Sequence, residues 1–289
     1  MSNTAVLWIR DGVLVDRMHI NPVAFAFAVW VFSSAQRRTK TSLEDLINFG
    51  FEKSGLSCAD KMQLYNSERE DILIDVEKAA SYYNVLASEA ASGAKYFTGA
   101  IEVLQDLQTA GVQNFITSAV EQDVLDTWGE NLQGRMIARY LTEILGKRPN
   151  FSKGRDHFDY VWRVLNKPKI YYVADATAEI QTAKEYAQDY NITAIGFGNV
   201  ITVDQVLAAV KLVSRALTAC GIDRVPFPMA VQQIHVDGAK VTLPTAQEIE
   251  TTLCKAGAES VISGTRETIM HNLRGYFEEH SMAQKRASL

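Results

Sequence analysis

The sequence predicts an α/β protein: a parallel-sheet core, a helical insert after the first strand, and an α+β segment at the C-terminal end. Three observations carry that expectation. The apolar run Ala5-Val6-Leu7-Trp8-Ile9 stops at Asp11-Gly12, as a buried strand does on reaching a tight turn. A second run, Ile170-Tyr171-Tyr172-Val173-Ala174, stops on Asp175 in the same way. Between them, helical patterns alternate with short apolar runs, the order that builds parallel sheets. In such sheets ligands bind beyond the carboxyl ends of the strands, where Asp11 and Asp175 fall.

Composition narrows the class. A chain of 289 residues, 47% hydrophobic and 22% charged, can bury a full core and suits one α/β domain with an insertion or appendage. The formal charge of −5 and a pI near 5.6 argue against a nucleic-acid partner, which calls for a basic face. No apolar run reaches the roughly 18 residues that cross a bilayer, and no secretory signal pattern opens the chain, so no membrane partner is expected and the expected location is cytoplasmic. Cys58, Cys220 and Cys254 are odd in number with no C-x-x-C spacing, which suggests neither a disulfide framework nor a zinc site.

Taken in order, Arg17 to Ser92 reads as almost wholly helical, with Arg37-Arg38-Thr39-Lys40 as an exposed break. Ser42, followed by Glu44 and Asp45, marks a helix start. Ile101, Val103, Leu104 and Leu107 have helical spacing, Gly111 ends that helix, and Val112 to Ile116 forms a strand finishing at Thr117-Ser118. Glu121 to Leu145 reads as helical, and Phe151 to Arg155 leads into a helix running to about Leu165. After Asp175 a helix passes through Lys184 and Tyr186, and Ile192 to Gly198 is the strand expected to close the sheet. Val203 to Ala219 is an amphipathic helix, and Val231 to Val241 alternates around Asp237-Gly238 as a hairpin does, with His235 read as a half-buried strand histidine. Helices follow at about Thr245 to Ala256 and Thr265 to His280.

Four of these places, in this order, resemble the motifs of the haloacid dehalogenase (HAD) superfamily, whose members are mostly Mg-dependent phosphatases and phosphotransferases. Asp11-Gly12-Val13-Leu14 and Asp16 match its first motif, hhhD-x-D-G-[TV]-L-x-D, except at the nucleophile, where this chain has Ile9. The resemblance implies that Asp11 stands where the family keeps the acid that protonates the leaving group. Thr117, with Ser118 beside it, falls on the second motif, whose hydroxyl donates to a phosphate oxygen; the same pair also suits a cap for the next helix. Lys153 falls on the lysine that neutralises nucleophile and phosphate, with Gly154 in place of the frequent proline and Lys147, Arg148 and Arg155 as competing cations. Asp175 and Glu179 fall on V-G-D-x-x-x-D-I, whose carboxylates hold the metal, although a glutamate at 179 equally suits a helix N-terminus.

The resemblance covers about Ala5 to Val200. It implies a Rossmann-like core over residues 1–16 and 93–200 and a helical cap over 17–92, the lesser alternative for the second being helices that only cover a sheet edge. Residues 201–289 form a C-terminal extension outside the family's pattern.

Function turns on position 9. An isoleucine has no lone pair with which to attack phosphorus and no oxygen for a metal. A Mg²⁺ site of Asp11, Asp175 and Glu179 is therefore expected to be weakened, and the phosphatase chemistry silenced. The expected role is that of a phosphatase-like pseudoenzyme that binds, regulates or assembles, with a small phosphorylated molecule or a protein as partner. The alternative is a HAD-type hydrolase of a small phosphorylated metabolite that uses a metal-bound water. Arg10, beside the vacated position, could partly replace the missing cation or point away into solvent. A third reading gives the work to the C-terminal segment, its hairpin adding to a partner's sheet edge in a homodimer.

Overall fold

The computed structural model describes residues 3–33, 42–53, 56–68, 74–91, 94–219 and 243–287. Strand β1 (Thr4–Ile9) leads into helices α1 (Ile20–Phe32), α2 (Leu43–Glu52), α3 (Cys58–Glu68) and α4 (Val76–Ala91). The chain then runs through α5 (Ala100–Thr109), β2 (Gln113–Glu121), α6 (Gln122–Glu130), α7 (Leu132–Ala138), β3 (Glu143–Lys147) and α8 (Arg155–Val164). Next come β4 (Lys169–Ala174), α9 (Thr177–Glu185), α10 (Ala187–Tyr190) and β5 (Ile192–Asn199). Helix α11 (Val203–Ala219), helix α12 (Ala246–Ala256), strand β6 (Ser260–Gly264) and helix α13 (Ile269–Ala287) follow. The chain divides into a sheet unit, Met1–Asp16 with Lys95–Val200 and Pro244–Leu289, and a helical unit, Arg17–Ala94 with Ile201–Leu243.

The sheet unit is the expected Rossmann-like α/β architecture. Its six strands are all parallel, in the order β3-β2-β1-β4-β5-β6. Every residue of β1 is buried, as a strand with neighbours on both edges and helices on both faces must be. Its register sets Ile9 beside Thr117 of β2, so the ends of β1 and β2 lie at one level. The core beneath depends on one polar residue. Buried Asn114 accepts a hydrogen bond from Trp8 Nε1 at 3.1 Å, and its amide nitrogen donates to the carbonyls of Leu104 and Tyr140, both at 3.1 Å. That one side chain ties β1, β2, α5 and the loop before β3 together.

Three expectations are corrected here. Residues 121–145 are not one helical stretch: α6 and α7 are short, and Glu143–Lys147 is an edge strand. Its five residues pair with β2 alone, and so short an edge strand leaves no alternation distinguishable from helical amphipathicity. β5 does not close the sheet either, because β6 pairs outside it, Ile195 to Asn199 against Ser260 to Gly264. Nor do residues 201–289 form one extension. The apolar face of α11 (Val206, Val210, Val213, Leu217) is buried in the helical unit, whereas β6, α12 and α13 complete the sheet unit. The hairpin around Asp237-Gly238, with His235, lies outside the described residues, as do Arg37 to Lys40 and Cys220.

The described residues between 20 and 91 are helical wherever they are regular, as expected. Helix α1 is so apolar that it is buried from Pro22 to Trp30, with α2, α4 and α11 packed around it. Phe25 stacks on Phe49 at 5.9 Å between ring centroids, and Phe49 meets Tyr65 edge-on at 5.1 Å. Ser42 starts α2 through a reciprocal cap with Asp45. Among the described residues no helix is long and apolar enough to cross a membrane.

Candidate functional site

The site is assembled where β1, β2 and β4 end. After Ile9, whose side chain is only 5% exposed, the backbone closes into a turn. Leu14 N and Val15 N both donate to the Arg10 carbonyl, at 3.1 and 2.8 Å, and Gly12 N donates to the Val15 carbonyl at 2.9 Å. Gly12 has φ +99°, a left-handed conformation that a side chain would strain.

Arg10 turns inward, a question strand alternation could not settle at a turn. Its Nε donates to Asp11 Oδ1 at 3.0 Å and its Nη2 to Oδ2 at 2.8 Å, a two-pronged pairing of the carboxylate. The guanidinium carbon lies 5.1 Å from the centre of the Trp128 ring, on α6, and the side chain is 8% exposed. Trp128 is itself held by Gln133, whose side-chain oxygen accepts from the indole at 3.0 Å. The Gln133 carbonyl accepts from the Tyr96 hydroxyl at 2.6 Å. Asp16, the last residue of the first motif, is buried with Arg266 Nε 3.4 Å from its Oδ2.

A second cation–carboxylate pair lies on the other side. Lys153, from the loop before α8, is ion-paired with Glu179 in the first turn of α9, both side chains largely buried. Asp175 follows β4. Burial, reinforced by the charge of Glu179 and opposed by Lys153, pushes its carboxyl up to about 8, so it is mostly protonated at neutral pH. Asp11 also contributes to that rise, so the electrostatics couple Asp11, Lys153, Asp175 and Glu179.

These residues do not fit a divalent cation as they stand. Asp11 is engaged by Arg10, Glu179 by Lys153, and burial beside Glu179 raises the Asp175 pKa. Among the described residues no three His, Cys, Asp or Glu side chains gather closely enough to hold a metal ion. A hard cation is held by oxygen ligands that include at least one or two ionised carboxylates free to turn toward it.

Of the two hydroxyls expected to meet phosphate, Thr117 is buried with its Oγ1 2.6 Å from His157 Nδ1. Ser118 Oγ accepts from Val120 N at 3.2 Å, where the pairing of β2 with β3 becomes irregular. His157 is fully buried against the Phe151 ring, 4.7 Å between centroids. Burial above all pushes its pKa down to about 4; a backbone interaction at Gly146 opposes the shift and nearby Lys153 adds to it. The imidazole is therefore neutral at pH 7. Sequence reasoning missed this residue, although 157, 158 and 161 share the buried face of α8 and would have flagged a core histidine. Trp128, Gln133, Tyr96 and Arg266 were missed as well, because each reaches the site from an element remote in sequence.

The depressed His157 pKa has a pH signature. The folded value lies below the ordinary 6.5, so the stability it represents is present above pH 6.5 and is lost as pH falls toward 4. The expected loss is on the order of 3 kcal/mol over that interval. Asp175 works in the opposite sense across the same range, because its folded pKa is raised. Unfolding free energies measured from pH 8 to pH 4 for the native chain and for His157→Asn isolate the histidine: the gap between the two curves should narrow in acid. A constant gap would refute the assignment.

No family model and no curated protein matches this sequence. Solved structures do. A predicted phosphatase from Clostridium acetobutylicum aligns over 96% of this chain and 98% of its own, at 15% identity and a TM-score of 0.57. A HAD family hydrolase from Deinococcus radiodurans R1, solved with bound phosphate and sodium, aligns over 96% of each chain at 17% identity and a TM-score of 0.54. The chain shares its fold with these structures, a HAD family hydrolase among them. A hydrolase from Pseudomonas syringae is similar too, over 96% of this chain and 99% of its own, at 15% identity and a TM-score of 0.53. In this fold the last residue of β1 is the apolar Ile9, and beside it Arg10 is paired with Asp11 and Lys153 with Glu179.

Proposed function

We propose that this chain is a HAD-fold protein that does not carry out phosphoryl transfer and serves as a binding, regulatory or assembly component. The observation that carries this reading is Ile9 at the end of the central strand, flanked by Arg10 closed onto Asp11. Phosphoryl transfer rests on positioned charge, and every carboxylate that would supply it is paired or protonated. The ligand in this reading is a small phosphorylated molecule or a protein. The helical unit is read as the element that selects it, by its place in the chain after the first motif. Cys58 and Cys254 are free thiols, which suits a reducing compartment such as the cytoplasm.

A second reading, hydrolysis of a small phosphorylated metabolite through a water nucleophile, has support of its own. The structural neighbours named above are a predicted phosphatase and two hydrolases, and they favour this reading over the first. Asp175, protonated at neutral pH, is a carboxyl able to give a proton to a leaving oxygen. One assay separates the two: a panel of phosphomonoesters with Mg²⁺, run on the native chain and on Ile9→Asp. No turnover above background is expected from the native chain. Ile9→Asp alone should stay silent too, because Arg10 and Lys153 still hold Asp11 and Glu179. Robust Mg²⁺-dependent hydrolysis by the native chain, abolished by Asp11→Asn, would establish the second reading.

A further inference from the structure

We propose that helices α6 and α7 form a two-fold interface with a second copy of this chain. The two helices make one tight corner. Asn131 between them accepts a hydrogen bond from Gly134 N at 2.9 Å, and a Cβ at Gly134 would run into the Trp128 carbonyl and the Gly129 backbone. That corner exposes three large apolar side chains among its charged ones. Leu132 is 82% exposed, Val124 54% and Met136 46%. Isolated exposed apolar side chains are ordinary, but Leu132 and Met136 lie four residues apart on one face of α7, and the adjoining α6 adds Val124.

The charges around the patch identify its occupant. Helix α6 exposes Asp123, Asp126 and Glu130, whereas α7 and its C-cap expose Arg135 and Arg139. Within the described residues no ion pair engages Glu130, Arg135 or Arg139. A two-fold interface sets a surface against its own copy turned through half a circle, so the surface must carry its own complement. Here the acidic α6 of one copy meets the basic α7 of the other, across a centre of Leu132, Met136 and Val124. A partner of one charge sign would be repelled by half of the patch. With a net charge of −5 per chain, two copies repel at long range, and it is this local balance of signs that permits contact.

The interface does not depend on whether the site turns over phosphate esters. It does touch that site from behind, since α6 carries the Trp128 ring beneath the Arg10 guanidinium.

The test is the solution mass of the full chain, by light scattering or sedimentation from micromolar to hundreds of micromolar. A species of twice 32.1 kDa is expected at the upper end. Leu132→Asp should weaken the dimer by at least about tenfold. Arg135→Glu should do the same, and the double variant Arg135→Glu with Glu130→Arg should restore it, because both signs are then exchanged in both copies. All three positions are exposed, and unchanged circular dichroism checks that the fold survives. A monomer at every concentration overturns the proposal. So does a dimer indifferent to Leu132→Asp, which would place the contact on another surface.

Discussion

Replacing Asn114 with leucine is expected to destabilise the sheet unit by about 3–5 kcal/mol, read as a fall in the denaturant midpoint of unfolding. Leucine has the same four-atom side chain branched at Cγ, so the cost is chiefly polar. The indole N–H of Trp8 and the carbonyls of Leu104 and Tyr140 would lose their partner inside a region sealed from water. Each buried group left unsatisfied costs about 1–3 kcal/mol. Trp8→Phe, which removes only one of the three bonds and keeps an aromatic ring against Phe277, should cost far less. Equal losses for the two variants would show that the amide is not the hub.

Asp11→Ala is the second large effect, a loss of about 3 kcal/mol. The Arg10 guanidinium is 8% exposed and Asp11 25%, so removing the carboxylate strands a cation away from water. A buried pair is more costly to break than to replace. Arg10→Met combined with Asp11→Ala should therefore recover much of the loss, since methionine can pack on Trp128 without needing a counter-ion. A double variant no more stable than Asp11→Ala alone would show that the charge was not the cause. Because phosphoryl transfer is absent in the main reading, these substitutions are followed by stability and not by turnover.

Much of the fold could be read from the residues because strands β1 and β4 announce themselves. Each is a continuous apolar run that ends within two residues of an aspartate, the pattern of a strand buried on both faces that leads into a turn. Edge strands send no such signal. Glu143–Lys147 and Ser260–Gly264 are five residues long, half-buried over much of their length, and merge with the helical patterns around them. At the site, the resemblance pointed to Asp11, Thr117, Lys153, Asp175 and Glu179, which lie at strand ends, in the loop before α8 and in the first turn of α9. What it could not give was pairing. Whether Arg10 faces Asp11 or solvent depends on Trp128, and whether Thr117 is available depends on His157 forty residues later. Both are matters of tertiary contact, invisible to local periodicity.

The placement of β6 carries a consequence for biosynthesis. As the chain leaves the ribosome, β1 to β5 can assemble while Ser260–Gly264 is still being made, so the outer rim of β5, Ile195 to Asn199, stays without a neighbour. Phe277, which covers Trp8 and Tyr171 at 6.0 and 5.7 Å, arrives later still. A nascent or prematurely terminated chain therefore presents an open rim and an uncovered indole together, the combination that draws chains into aggregates. Once β6 and α13 are made, β5 has its neighbour and the indole its cover, and the exposed edge passes to a strand of only five residues.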